Sequence, residues 1–113
     1  MINLTLNGKE YTLATNLRVA YNVQGQHNHK SYMEVFQNID NMTLEEQVGI
    51  LYEAAKVGTD KSIMPNKQDF LAEYLDAPEA NISTLLTTLK QIFEGILGRE
   101  IKLDKDSSDS EGE

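Results

Sequence analysis

Apolar and polar residues alternate strictly at the start of the chain and then change to helical spacing. Ile2, Leu4 and Leu6 alternate with Asn3 and Thr5, and Tyr11 and Leu13 alternate with Glu10 and Thr12. Between the two runs stands Asn7-Gly8. That dipeptide suits a type I′ turn, which needs positive φ at both central residues. A two-residue loop pairs Leu6 with Lys9, Leu4 with Tyr11 and Ile2 with Leu13, so the large apolar side chains share one face. A slip of one residue would turn that face to water, which fixes the register. A lone hairpin is marginal in water, so the face needs a cover.

The periods that follow predict that cover. A short helix spans Leu17–Gln26, capped by Thr15 or Asn16, with Leu17, Ala20 and Tyr21 on one side. The polar run 25–30, Gly-Gln-His-Asn-His-Lys, reads as a loop. Ser31 followed by Glu34 matches a capping box, in which the serine caps the first turn and the glutamate returns to its amide. Tyr32, Val35, Phe36 and Ile39 then recur at helical spacing. A second capping box, Thr43 with Glu46, opens a helix with Leu44, Val48, Leu51 and Ala55 inward and Gly58 as its C′ residue. Asn66 caps a short helix carrying Phe70, Leu71, Tyr74 and Leu75, which Asp76-Ala77-Pro78 stops. The last helix, about residues 79–97, carries Ile82, Leu85, Leu86, Leu89, Ile92, Phe93 and Ile96 as a wide stripe typical of a globular core. Gly98 ends it.

The pattern therefore predicts an α+β, mostly α fold. A β-hairpin packs on a bundle of about five short-to-medium helices in one domain, residues 1–98. From Arg99 the composition changes. Ile101 and Leu103 fit a little extended structure, but residues 104–113 are Asp, Lys, Ser, Glu and Gly only. Such a segment cannot bury enough surface to offset its ordering entropy, so residues 99–113 read as a disordered acidic tail.

Charge narrows the partners. The net charge is −8; 7 bases and 12 acids precede Gly98, and 3 bases and 6 acids follow it. An acidic surface disfavours a nucleic-acid backbone or an anionic membrane as a ligand. No apolar run approaches the ~20 residues of a membrane span, and the amino terminus lacks a signal-peptide pattern. The absence of cysteine excludes a disulfide framework, a thiolate metal site and a cysteine nucleophile. A cytosolic location is the simplest reading.

Candidate chemistry is sparse. His27 and His29 lie two apart in the polar run without further ligands at suitable spacing, and read as a solvated loop rather than a metal site. Glu45 and Glu46 fall in a first helical turn, where negative charge complements the dipole. Asp69 and Glu73 lie on the polar side of a short amphipathic helix. No phosphate-cradling glycine loop or nucleophile elbow occurs. We expect no enzymatic activity and no cofactor. The apolar faces carry more weight. The end of the last helix, Leu89, Ile92, Phe93, Ile96 and Leu97, either completes the core against the hairpin or offers a partner-binding surface for a helix.

The opening, Ile2 to Leu13 followed by Asn16-Leu17-Arg18-Val19-Ala20, resembles the tail assembly chaperones of long-tailed phages and prophages of Gram-positive bacteria. The size, the helical body, the acidity and the polar carboxyl end are similar too, over residues 1 to about 98. The resemblance implies a protein that binds the tape measure protein, a long aggregation-prone helical chain, and keeps it soluble until tail-tube subunits polymerise around it. It further implies action in the host cytoplasm, absence from the mature virion, and in many members a frameshift-extended product that recruits the tail-tube protein. Residues 99–113 fall where such an extension would attach. The alternatives are a structural phage component, such as a tail-tube or head-tail connector subunit, and a small regulatory adaptor. A tube or connector subunit needs more β-structure than one hairpin, and a DNA-binding regulator needs a basic recognition helix, which this sequence lacks.

Overall fold

In a computed structural model, which describes residues 2–98, the chain forms a two-stranded antiparallel hairpin followed by five α-helices. Strands β1 (Ile2–Leu6) and β2 (Lys9–Leu13) pair in the expected register, Leu6 with Lys9 and Ile2 with Leu13. Asn7 and Gly8 adopt φ of 53° and 78°, the positive values that a type I′ turn requires. Leu4, Leu6, Tyr11 and Leu13 are buried. The helices are α1 (Leu17–Gln26), α2 (Tyr32–Gln37), α3 (Leu44–Gly58), α4 (Lys67–Asp76) and α5 (Ile82–Leu97), with a 3₁₀ turn at Ile39–Asn41 after α2. Residues 99–113, expected to be an acidic tail, lie outside the described residues.

Helix α3 is the central element, in contact with β2, α1, α4 and α5. Its residues Val48, Ile50, Leu51, Ala54 and Ala55 are buried around most of its circumference, so it behaves as a core helix rather than a surface one. The Thr43–Glu46 capping box forms in full. Buried Gln47 donates to the Ile39 carbonyl at 2.8 Å, which ties the start of α3 to the 3₁₀ turn and leaves no orphaned amide there. Phe36 and Phe93 stack at 4.7 Å with planes 3° apart, joining α2 to α5.

Several local expectations change. Leu17 and Tyr21 are 73% and 69% exposed, and α1 buries Val19, Ala20 and Val23 instead. Leu17/Ala20/Tyr21 and Val19/Ala20/Val23 are overlapping stripes on one helix; the smaller side chains are the ones α1 buries. Leu44, Leu75 and Ile82 are also exposed. Ser31 caps α2, but the Glu34 carboxylate accepts from the Ser31 hydroxyl at 3.4 Å rather than from its amide. Gly58 is the last residue of α3, not a left-handed residue beyond it; Thr59 follows as an extended C-cap. Gly58 serves a close approach instead. A Cβ there would lie 2.4 Å from the Thr12 carbonyl oxygen and 2.8 Å from the Ala14 nitrogen.

Helix α5 begins at Ile82 rather than near residue 79, because Asn81 supplies the cap. Its side chain accepts from the Thr84 amide at 2.8 Å. Asn81→Ala is expected to lower stability by about 1 kcal/mol, read as a shift in denaturation midpoint at unchanged slope.

Candidate functional site

The residues with chemical potential fall in three places: the hairpin–α4 junction, the polar turn after α1, and the apolar surfaces of α1 and α5. At the first, the sequence put Glu73 with Asp69 on an outer polar side. Glu73 instead turns inward, where its carboxylate accepts from the Tyr11 hydroxyl and lies 3.7 Å from the Lys9 ammonium. Burial, then the Glu73 hydrogen bond, pushes the Tyr11 hydroxyl above its ordinary pKa. The neighbouring Tyr11 hydroxyl, and then Glu73, raise Lys9 against an opposing effect of burial. Tyr11 also meets Phe70 edge to face at 5.3 Å and 74°. The cluster binds α4 to the hairpin, and its carboxylate is already paired with a phenol and an ammonium.

A second tether joins the hairpin turn to the chain ahead of α5. The Asn7 amide donates to Glu79 Oε1 at 2.9 Å. That bond holds the Glu79 carboxyl below its ordinary 4.5. A depressed folded-state pKa means that the contribution is present above the ordinary value and is lost as pH falls through the folded one. The Asn7 amide resonance is therefore expected to titrate with a midpoint below 4.5, and Glu79→Gln to abolish that titration.

In the turn after α1, Asn28 and His29 adopt φ of 59° and 61°. His27 lies 4.0 Å from Glu46, whereas His29 faces a shallow cleft shared with Tyr21, Glu53 and Lys56. Among the described residues, no three of His, Cys, Asp and Glu converge as metal ligands. Glu53 is buried and has both oxygens engaged, by the Gln26 amide and by Lys56 at 3.3 Å. Glu46 is held below the usual carboxylate range by the Thr43 amide and hydroxyl. These carboxylates cap and tie helices.

The five apolar residues near the end of α5 divide sharply. Leu89 and Ile92 are fully buried and Phe93 is 8% exposed, stacked on Phe36. Only Ile96 and Leu97 remain partly open. A partner reaching all five would have to open the core. The larger apolar exposure is on α1, where Leu17 and Tyr21 stand one turn apart, with the Arg18 guanidinium 5.8 Å from the Tyr21 ring. The sequence reasoning missed this pair because it placed both side chains inward. The available signal was the competing Val19/Ala20/Val23 stripe. Helix α5 contacts α1, and its Gly95 packs closely on Thr15 in the segment ahead of α1. Among the described residues, no helix is long and apolar enough to cross a membrane. Comparisons with protein-family models, with curated proteins and with solved structures found no match to this chain.

Proposed function

We propose that this chain is a non-enzymatic phage tail assembly chaperone that binds the tape measure protein, keeps it soluble and helps to recruit tail-tube subunits. The observation that carries the reading is the opening itself: an Asn7-Gly8 hairpin running directly into a helix, with the sequence pattern that resembles that family. The charge of −8 and the mostly helical α+β body support it. Apolar side chains on a strongly acidic surface suit the holding of an aggregation-prone helix, because the surface binds apolar faces while like charge keeps complexes apart.

On this reading the partner surface shifts from the buried stripe of α5 to its open end and to α1. Ile96 and Leu97 stay as candidates, and Leu17 and Tyr21 join them. Leu17→Glu with Tyr21→Glu should leave stability within roughly 0.5 kcal/mol, as for surface positions generally, and should reduce co-purification with the tape measure protein. The role in tail assembly is tested by particle composition. A chaperone is present with the tape measure protein in assembling cells and absent from purified virions; a tail-tube or connector subunit is present in the virions at fixed copy number, and that result would replace this reading.

A further inference from the structure

The turn that sets the hairpin register also holds a chemically reactive pair. Asn7 is the one asparagine in the chain that is followed by glycine. With no side chain beside it, a glycine nitrogen is free to attack the preceding asparagine side chain. Hydroxide takes the Gly8 amide proton, and the nitrogen bonds to Asn7 Cγ. The bond from Cγ to its own amide nitrogen then breaks and releases ammonia. Water opens the resulting succinimide at either carbonyl, giving aspartate or isoaspartate. Asn7 and Gly8 are both exposed, and a Cβ built on Gly8 would meet no atom within 4 Å, so water and hydroxide reach the site.

Ring closure needs a particular backbone, and the fold imposes a different one. The Gly8 nitrogen has to swing over the Asn7 side chain, which requires a negative ψ at Asn7. At φ 53° Asn7 lies in the left-handed region, where ψ is positive, about +45°. There the Gly8 nitrogen points away from the Asn7 Cβ. Bringing the two together means turning the Asn7–Gly8 peptide through roughly a half-turn. The flanking pair Leu6–Lys9 is in register and Leu6 is fully buried, so that rotation opens the turn.

Glu79 adds a lock from outside the hairpin. Its Oε1 accepts from the Asn7 amide at 2.9 Å. The Asn7 amide, the Glu79 amide and the Gly8 amide together hold this carboxyl below its ordinary 4.5, so the nitrogen that must lose its proton faces a carboxylate. A negative charge there opposes the formation of a second one. Breaking the lock has consequences for the fold. Isoaspartate routes the main chain through the side chain and lengthens a two-residue turn by one methylene, which the register of the buried face does not accommodate. Either product also sets a new carboxylate beside Glu79.

We propose that Asn7 is a site of spontaneous deamidation that the folded hairpin suppresses, and that Glu79 is the residue that locks the turn against it. Folding, not sequence, then sets the lifetime of this asparagine. The inference is independent of the chaperone reading.

Ageing the full chain in mildly alkaline buffer tests it, with conversion read by mass and fragmentation of the tryptic peptide of residues 1–9. Asn7 should convert at least ~10-fold more slowly in the folded chain than in the same chain held unfolded in urea. In the folded state Glu79→Ala should convert Asn7 at least ~3-fold faster than the unaltered chain. Asn28 is the internal control, since it is exposed and left-handed at φ 59°. Its slower conversion should be the same in both proteins. Equal Asn7 rates in folded and unfolded chain would overturn the suppression by the fold. An Asn7 rate that Glu79→Ala leaves unchanged would overturn the role of Glu79. So would equal increases at Asn7 and Asn28, because these mark a loosening of the whole chain rather than release of one turn.

Discussion

Phe70→Ala is expected to be the most damaging single truncation, lowering stability by about 3–5 kcal/mol. Phe70 is fully buried and is the residue through which α4 reaches the centre of the protein. It meets Tyr11 of β2 at 5.3 Å and Tyr52 of α3 at 5.5 Å. A ten-residue helix such as α4 is marginal on its own and depends on tertiary packing. Without Phe70 its hold rests on Tyr74, half-buried Leu71 and the contacts of Glu73 with Tyr11 and Lys9. Domains of this size are stable by about 5–15 kcal/mol, so the variant should show a much lower urea midpoint. Leu75→Ala on the same helix is the control. Leu75 is exposed, and its loss should change stability by roughly 0.5 kcal/mol or less. Equal effects at the two positions would mean that α4 does not dock through Phe70.

Gly58→Ala should destabilise by about 3 kcal/mol, at the upper end of overpacking costs, although helix propensity alone favours alanine by up to about 1 kcal/mol. The two effects have opposite signs, so the outcome decides between them. The obstacles are backbone atoms: the Thr12 carbonyl oxygen at 2.4 Å and the Ala14 nitrogen at 2.8 Å from the new Cβ. Neither can rotate away. Relief requires β2 to move off the end of α3, which disturbs the Thr59–Thr12 bonds and the bond from the Ala14 amide to the Ala54 carbonyl at 3.0 Å. Chemical denaturation measures the change. A gain in stability would mean that β2 can move off the end of α3 at little cost.

Local chemistry made much of this fold readable. Asn7-Gly8 with alternating neighbours specified the turn and the strand register, and Thr43, Asn66 and Gly98 marked helix ends through caps whose geometry involves a few adjacent residues, while the cap of α1 was narrowed to Thr15 or Asn16, of which Asn16 serves. What stayed hidden depends on contacts between distant segments. Gly58 looked like a helix terminator because the approach of Thr12, 46 positions earlier, leaves no trace near it. Glu73 looked like a surface acid because its partner Tyr11 sits on β2. On α1, two stripes satisfied the same periodicity, and only the space against its neighbours chose between them. The candidate surface suffered most from this. Leu89, Ile92 and Phe93 have the same apolar character whether they fill a core or await a partner, and the stacking of Phe93 on Phe36 is a tertiary fact.

The proposed role for this acidic hairpin-and-helix chain is to hold a tape measure protein in solution. Co-expression with a tape measure protein of a long-tailed phage decides it, by the fraction of that protein in the cleared lysate with and without this chain. In that role the chain should render the tape measure protein, insoluble alone, soluble and co-elute with it in one complex. A tape measure protein that stays insoluble beside abundant folded chain, or that is soluble without it, would rule that role out.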